Sequence, residues 1–260
     1  MNDYQHLLVE EDGPLLVVSL NRPSVLNALN AEAHGEMAQV FDYFSAQASL
    51  RVAILTAVGE RAFCVGTDLK SRHEAGADVY PASGFGGISH RYDLYKPVIA
   101  AVNGLALGGG VELVLACDCC VASDQAKFGF PETRVGLAAV GGGGIHRLVR
   151  KVAHSHAMWL LLTGESIDAA EAARIGLINS AVPAGEVMNT ARRWAQAILQ
   201  GAPIATAATK QVALRSVELP EIEGALKAEY PLLEEMLNSE DALEGSRAFT
   251  EKRKPRWTGS

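Results

Sequence analysis

The chain has 260 residues, 48% of them hydrophobic, so it can bury a large core as one domain with an appendage or as two small domains. Its formal net charge of −7 argues against binders of nucleic acid or of anionic membranes, because both need a basic surface. A small-molecule partner is therefore expected. We also expect a cytoplasmic protein, since no apolar run reaches about 18 residues and the first residues lack signal-peptide character.

Strands and helices alternate in the first part of the chain. The apolar, β-branched run at residues 15–20 (LLVVSL) predicts a buried strand that ends at residues 21–23. Apolar residues at helical spacing predict a helix over about residues 30–47, and residues 52–56 (VAILT) predict the next strand. This alternation is typical of right-handed β-α-β crossovers and indicates an α/β core.

Residues 73–90 (HEAGADVYPASGFGGISH) form a glycine-rich, alanine-rich and serine-rich segment without a clear period. The pattern predicts a mobile loop or a broken helix, and a loop of this length in a compact domain is often a lid over a ligand. Plain disorder is the alternative. Under the lid hypothesis, the segment becomes ordered when a ligand binds.

A strand predicted at residues 97–102 leads into the segment that organises the chain, residues 103–132. Three glycines at positions 108–110 precede an apolar helical run, and another strand is predicted at residues 117–122. Glycine lets another group approach the backbone, and the first amides of a helix have no intrahelical partner and lie at its positive end. This order of elements suits a site for a developing anion at the carboxyl end of a strand.

Two isolated carboxylates lie in this central segment. Glu112 interrupts the apolar run in the first turn of the helix, where an ionised carboxylate is costly to bury unless it is paired or its pKa rises. The alternative is a solvated glutamate that only complements the helix dipole. Glu132 closes the segment after Phe-Gly-Phe-Pro. This second isolated acid favours a buried, functional Glu112 over a solvated one, because two acids could flank one oxyanion site.

Metal and nucleotide chemistry are not predicted. Cys117, Cys119 and Cys120 lack a second cluster at ligand spacing, so we expect them, with Cys64, to be reduced and buried. The glycines at 141–144 lack the Lys-Ser/Thr of a phosphate-binding loop, and the chain has no G-x-G-x-x-G match in its glycine-rich stretches.

The second half of the chain is mainly helical. Helices are predicted at about residues 144–151 and 154–163, with a turn at 168–174 and a strand at 177–182. From residue 184 onward the pattern is helical, with breaks near residues 201–203, 220 and 238. The apolar positions of this last part exceed what one thin layer of helices can hide, so subunit contact is expected.

Five motifs in order resemble the crotonase superfamily, the enoyl-CoA hydratase/isomerase family, and the likeness covers the whole chain. They are residues 21–29 (NRPSVLNAL), 62–69 (AFCVGTDL), 103–113 (NGLALGGGVEL), 128–132 (FGFPE), and 162–165 (LTGE) with 170–178 (AEAARIGLI). The resemblance implies an α/β core of repeated β-β-α units over residues 1–198 and a helical trimerisation region over residues 199–260. It also implies a homotrimer or a dimer of trimers.

The resemblance further implies an acyl-CoA substrate and assigns roles to residues. The thioester oxygen would be held by the amides of Thr67 and Gly109, with Glu112 activating water and Glu132 exchanging the C2 proton. Substrate-binding positions carried over from the family are Arg22, Val25, Leu26, Cys64, Gly66, Asp68, Leu69, Gly108 and Pro131. No metal or redox cofactor is expected, because coenzyme A is part of the substrate.

The implied reaction adds water across the C2–C3 double bond of a 2-enoyl-CoA and gives a 3-hydroxyacyl-CoA, as in an enoyl-CoA hydratase. Each oxyanion amide contributes on the order of 10²–10³ in rate, and general acid–base help roughly 10²–10⁴ per group. The alternatives are a Δ3,Δ2-enoyl-CoA isomerase, another enolate-forming lyase, or a non-catalytic acyl-CoA-binding protein. The retained pair of glutamates favours hydration, because isomerases of the family often keep only one.

Two departures from the family pattern bear on specificity. The stretch at residues 135–144 is one residue longer than the usual hydratase pattern and lacks its proline, and it borders the acyl pocket in the family. Thr67 replaces the commoner alanine, although its backbone amide is the group that matters. The length, branching and aromaticity of the acyl group therefore stay open.

Overall fold

The computed structural model describes residues 4–75 and 80–260, which form two sheets surrounded by helices. The strands are β1 (Leu7–Asp12), β2 (Leu15–Leu20), β3 (Val52–Ala57), β4 (Ala62–Cys64), β5 (Val98–Val102), β6 (Leu105–Leu107), β7 (Cys119–Ser123), β8 (Lys127–Gly129), β9 (Ser166–Asp168) and β10 (Ser180–Val182). The helices of the first part are α1 (Ala31–Ala46), α2 (Leu69–Ala75), α3 (Gly109–Ala116), α4 (Gly144–Lys151), α5 (His154–Thr163) and α6 (Ala169–Arg174). Those of the last part are α7 (Val187–Leu199), α8 (Pro203–Ser216), α9 (Ile222–Lys227), α10 (Pro231–Leu237) and α11 (Glu240–Thr250).

The larger sheet has the strand order β1-β2-β3-β5-β7-β10, and the smaller has the order β4-β6-β8-β9. Pairing is parallel except for β1 with β2 and β8 with β9. The α/β fold class predicted from the sequence is confirmed.

The inner strands of the larger sheet, β2, β3, β5 and β7, are buried on both faces, which explains their continuous apolar sequences. Successive side chains of a strand point to opposite faces. On β2, Leu16 and Val18 therefore join the main core with Phe41 of α1, while Leu15 and Val17 pack in a second core. That second core includes Val187, Ala191 and Ala195 of α7, so the helix covers the face of the sheet opposite α1.

Three successive β-β-α units position the site. In each, the first strand (β3, β5 or β7) enters the larger sheet and the second (β4, β6 or β8) enters the smaller one. Because β4, β6 and β8 are adjacent and parallel, their carboxyl ends lie side by side. The residues that follow them, Thr67, Gly108 and Glu132, are thereby brought to one edge of the smaller sheet.

Most elements predicted from the sequence are present within a few residues. The predicted strand at residues 177–182 begins only at Ser180, because the amides of Leu177 and Ile178 donate to the carbonyl of Ala172 at the end of α6. The cysteines are free thiols, as predicted; Cys64, Cys117 and Cys120 are buried and Cys119 is half-buried.

Of the two alternatives predicted for residues 73–90, the broken helix and not the mobile loop describes residues 84–89, where the short 3-10 helix Phe85–Gly87 is interrupted at Gly86, whose φ is +60°. These residues are buried, and Phe85 and Ile88 belong to the main core. Gly86 donates its amide to Nδ1 of buried His34 on α1, which fixes the segment against that helix. Residues 73–75 end α2, residues 80–83 are described as irregular chain, and residues 76–79 of the predicted loop lie outside the described residues.

The last helices carry exposed apolar side chains, as the sequence pattern predicts. Each of the following is at least half exposed: Leu214, Val217, Ile222, Leu226, Leu237, Leu243 and Phe249. None of the helices in the described part of the chain combines the length and apolar character needed to cross a membrane.

Candidate active site

The three glycines at the start of α3 are required by close neighbours. Gly108 has a φ of +54°, and a Cβ there would lie 2.7 Å from Oε1 of Glu132. A Cβ on Gly110 would lie 1.9 Å from the carbonyl oxygen of Cys64, which no side chain can tolerate. The glycines therefore let the start of α3 pack directly on the end of β4 and under the Glu132 carboxylate.

Glu112 is almost fully buried, with 3% of its surface exposed, and its carboxylate is bound by a glycine-rich turn. The amides of Gly142 and Gly144 each donate to one carboxylate oxygen at 2.8 Å. Burial raises the pKa of Glu112, while the two amides and the nearby Arg147 and His146 oppose that rise. Glu112 is thus a fixed acid that keeps its acceptor oxygens inside the protein, not a solvated dipole partner.

Glu132 lies in the short 3-10 helix Pro131–Val135 that follows β8. Burial, with the Glu112 charge adding to it, raises the pKa of Glu132 to about 7, against the opposing effect of its own backbone amide. Its Oε2 is buried and accepts no hydrogen bond from the described residues. A carboxyl group with this pKa can hold or release a proton near neutral pH.

The structure also brings the predicted amide residues Thr67 and Gly109 close together. Gly66 has a φ of +93°, and a Cβ there would lie only 3.0 Å from the amide nitrogen of Gly109. Leu29 pairs with the carbonyl of Gly66 and the amide of Asp68, so the amide of Thr67 between them faces away from Leu29. Gly109 is the first residue of α3, where the amide has no intrahelical acceptor.

Aromatic rings that no sequence motif identified line the same region. The Phe85 ring lies against Gly109, where a Cβ would come within 2.3 Å of it. The hydroxyl of Tyr80 is 3.2 Å from Oγ1 of Thr67 and lies over Gly141. His34 packs edge-on against both rings, at 5.0 Å from Tyr80 and 4.7 Å from Phe85. The glycine-rich spacing around Phe85 suggested a loop, so no signal marked these rings as a wall of the site.

The turn after β2 is fixed to the segment after β4. Arg22 forms an ion pair with Asp68 at 3.1 Å, in which both side chains are mostly buried. Burial tends to raise the pKa of Asp68, but the Ser71 amide, Arg22 and the Lys70 amide outweigh it and hold the pKa below its usual range. Asn27, 1% exposed, donates to the carbonyls of Val58 and Ala62 and locks the turn.

The remaining predicted substrate-binding residues differ in accessibility. Val25 and Leu69 are exposed, and Leu26 and Pro131 are half-buried. Cys64 is fully buried; its carbonyl faces Gly110 and its sulfur accepts from the Gly66 amide, so it lies beneath the site. A cavity of about 370 Å³ opens beside Leu69 and is also lined by Arg72, His73, Val135 and Leu137.

The fold and the site together define a class of enzyme. Glu112, which is buried, and Glu132, which is half-buried, both have raised pKa values. They lie near a glycine-initiated helix and a second glycine turn, at the aligned ends of three parallel strands. Such an arrangement suits acid–base chemistry next to a carbonyl whose developing negative charge is stabilised by backbone amides.

Comparison with known proteins shows the family. A profile of the enoyl-CoA hydratase/isomerase family matches residues 10–260. The chain is 43% identical to the carnitinyl-CoA dehydratase of Proteus mirabilis (strain HI4320), over 98% of this chain and 99% of that protein. It is also 43% identical to the carnitinyl-CoA dehydratase of Citrobacter koseri, over 95% and 96% of the two chains.

Solved structures agree with this result. The enoyl-CoA hydratase EchA1 of Mycobacterium marinum superposes with a TM-score of 0.92 at 38% identity, over 98% of this chain and 99% of that one. A probable enoyl-CoA hydratase/isomerase of Mycobacterium abscessus gives a TM-score of 0.90 at 41% identity over the full length of both chains. The protein belongs to the enoyl-CoA hydratase/isomerase family, the crotonase superfamily, and is an enzyme of that family that acts on CoA thioesters.

Proposed function

We propose that the protein catalyses the reversible addition of water across the C2–C3 double bond of a 2-enoyl-CoA thioester. The observation that carries this proposal is the pair of glutamates: Glu112 is held by two backbone amides, and Glu132 has a raised pKa and a buried oxygen that accepts no hydrogen bond from the described residues. Hydration needs one group that takes a proton from water and another that delivers a proton to C2. A site with one carboxylate would support isomerisation more readily than hydration.

The thioester oxygen is proposed to accept hydrogen bonds from the amides of Thr67 and Gly109. Both residues lie beside Gly66; the amide of Thr67 faces away from Leu29, and the amide of Gly109 has no intrahelical acceptor. Negative charge develops on this oxygen when water attacks C3, so two fixed donors stabilise the transition state more than the ground state. The positive end of α3 adds to the same effect.

Glu112 is proposed to position and activate the water, and Glu132 to exchange the proton at C2. In hydration, Glu112 gains the proton of water while Glu132 gives its own to C2, so the pair holds one proton before and after the step. The active form is therefore the singly protonated pair, in both directions of the reaction. The rate should fall at low pH when both acids are protonated and at high pH when both are ionised.

Coenzyme A is proposed to lie along the turn of residues 22–26 and the segment after β4, as the family resemblance implies. The exposed side chains of Val25 and Leu69 offer apolar surface there. Arg22 and Asp68 hold the two segments together through their ion pair. Leu26, Gly66, Gly108 and Pro131 complete the proposed contact region, and the buried Cys64 supports it from beneath instead of contacting the substrate. The proposed chemistry uses no metal or redox cofactor.

A second candidate concerns the acyl group. The carnitinyl-CoA dehydratases that resemble this chain suggest a substrate with a quaternary ammonium group on C4, next to the reacting carbons. The Tyr80 and Phe85 rings beside Thr67 and Gly109 favour this candidate, because aromatic faces and nearby carboxylates attract a desolvated cation. The chemistry is the same reaction, run as dehydration of the 3-hydroxyacyl thioester.

The test compares three thioesters in one assay, the loss of the conjugated enoyl absorbance: crotonyl-CoA, 4-trimethylammoniocrotonyl-CoA, and the neutral isostere 5,5-dimethylhex-2-enoyl-CoA. We expect all three to be hydrated. A charge-specific pocket should raise kcat/KM for the ammonium substrate by roughly 5–30-fold over its isostere, which corresponds to about 1–2 kcal/mol. Equal values would reject the carnitinyl-type substrate and leave hydration standing.

An isomerase and a non-catalytic binding protein would each give a different result in the same assay. If the conjugated signal persists and a 3-enoyl-CoA is converted instead, the protein is an isomerase and the hydratase proposal fails. Saturable binding of all three thioesters without turnover would identify a non-catalytic acyl-CoA-binding protein.

We also propose that the protein assembles as a homotrimer or a dimer of trimers through the helices that follow residue 199. The support is the set of exposed leucine, isoleucine and phenylalanine side chains on α8 to α11, together with the exposed Val217 directly after α8. Apolar surface of this extent is typical of an interaction face.

A further inference from the structure

Arg147 on α4 braces the turn that binds Glu112. Its Nη1 donates to the carbonyl of Gly142 at 2.6 Å, and the amide of the same Gly142 donates to Oε2 of Glu112. The guanidinium also lies over Gly143, whose φ is +78°. Arg147 therefore fixes the carbonyl of Gly142, and the amide of Gly142 orients the Glu112 carboxylate.

The same guanidinium reaches the segment that covers Gly109. Its Nη2 donates to the carbonyl of Ser89, which is fully buried. The Ser89 amide in turn donates to the carbonyl of Phe85, whose ring lies against Gly109. Arg147 thus joins the turn that holds the proposed base to the segment that contacts the proposed oxyanion amide.

Arg147 also brings positive charge towards Glu112. Its half-buried guanidinium stays protonated, because arginine keeps its proton even when burial lowers its pKa. The titratable groups that face Glu112 are Arg147 and His146 from α4, Glu132 from the helix after β8, and Cys64 from β4. Cys64 stays neutral because burial raises its pKa to about 12, and His146 is exposed and screened by water.

We propose that Arg147 is a positioning residue for the hydration step. It orients the Glu112 carboxylate through Gly142, and it holds the Phe85 ring against Gly109 through Ser89. The proposal rests on the proposed function. It assigns two separable effects to Arg147. The planar guanidinium donates to the carbonyls of Gly142 and Ser89 at the same time, which lysine cannot reproduce. The guanidinium also carries a positive charge, which lysine keeps.

The test uses Arg147→Gln, Arg147→Lys and the matched control Arg150→Gln, with kcat, KM and the pH profile of crotonyl-CoA hydration measured for each. Arg150 lies on the same helix, is exposed, and within the described part of the chain donates to the nearby carbonyl of His146 alone. Misaiming an acid by a fraction of an ångström should lower kcat by roughly 10–100-fold in Arg147→Gln, with KM changed by less than about 3-fold.

The pH profile separates charge from bridging. Loss of the positive charge in Arg147→Gln should shift the acid limb of the kcat/KM profile to higher pH by about half to one unit, because Glu112 then holds its proton more tightly. Arg147→Lys should keep the wild-type limb yet lose kcat, and Arg150→Gln should match the wild type in both.

The outcomes that contradict the proposal are distinct from those that contradict hydration. If the wild type is active and Arg147→Gln has the same kcat and acid limb as the wild type, the proposed role of Arg147 is overturned while hydration stands. If the glutamine variant does not fold, Arg147→Lys carries the test, and a wild-type kcat there would overturn the bridging role. A wild type that hydrates none of the three thioesters of the substrate test would overturn the hydration proposal and the role of Arg147 with it.

Discussion

At the scale of single residues, the chemistry is set by what surrounds each carboxylate. Glu112 is buried and accepts hydrogen bonds from the amides of Gly142 and Gly144, whereas Glu132 is half-buried and is influenced by its own backbone amide. The buried Oε2 of Glu132 accepts no hydrogen bond from the described residues. The difference suits a fixed acid that holds water and a second acid that exchanges its proton with substrate.

The raised pKa of Glu132 has a consequence for stability. Between its ordinary pKa of 4.5 and about 7, the folded protein binds a proton that the unfolded chain has released, so stability falls as pH rises through this window. Glu132→Gln removes the penalty. We expect the variant to melt higher than the wild type at pH 8 by roughly 2–4 °C, for a gain on the order of 1 kcal/mol, and to differ little at pH 5. A melting-temperature difference that is the same at both pH values would contradict this account.

The sequence could identify the two acids but not the residues that hold them. Glu112 and Glu132 stand out as charges within apolar or aromatic runs, and the glycines at 108–110 mark a close approach. Arg147, Tyr80 and Asn27 gain their roles from contacts with distant parts of the chain. No local pattern announces that a helix arginine will reach the carbonyl of Ser89, 58 positions away.

At the scale of elements, the three-residue strands of the smaller sheet determine where the site forms. β4, β6 and β8 are too short to show a period of their own, and parallel pairing with their neighbours holds them in place. The longer strands β2, β3 and β5 are predictable because each is a continuous apolar run. Residues 84–89 are buried, but their sequence pattern predicts a loop or a broken helix, because glycines permit flexibility as well as the close packing on α1 that the structure shows.

The close contact between α3 and β4 gives a prediction at this scale. Gly110→Ala would place a Cβ 1.9 Å from the Cys64 carbonyl, so α3 must shift away from the end of β4. We expect a loss of about 3 kcal/mol or more, or roughly 6–12 °C in melting temperature. The control is Gly35→Ala within α1, where a Cβ meets open space and should stabilise by about 0.5–1 kcal/mol. Equal effects of the two substitutions in thermal unfolding would contradict the packing argument.

At the scale of the whole molecule, the family and the fold class follow from the sequence, whereas the assembly does not. The boundary predicted near residues 198 and 199 and the cytoplasmic location both stay predictions. A subunit interface is formed with residues of other chains, so a single chain indicates it only through exposed apolar side chains.

The proposed trimer can be tested through those side chains. We expect sedimentation equilibrium to give a mass of three or six chains for the wild type, and Leu226→Glu with Phe249→Glu to shift it towards smaller species, because buried charges disrupt an apolar interface. Leu8→Glu, at an exposed position on β1, is the control and should leave the mass unchanged. A wild-type mass of one chain at micromolar concentration would reject the assembly.

The most direct test of the central claim is the turnover of crotonyl-CoA by Glu112→Gln and Glu132→Gln, measured together with acyl-CoA binding. We predict that each substitution lowers kcat by roughly 10²–10⁴-fold while the Kd for a saturated acyl-CoA changes by less than about 3-fold, since neither acid binds the CoA handle. Near-wild-type turnover in either variant would show that the proton moves by another route and would contradict the two-glutamate mechanism.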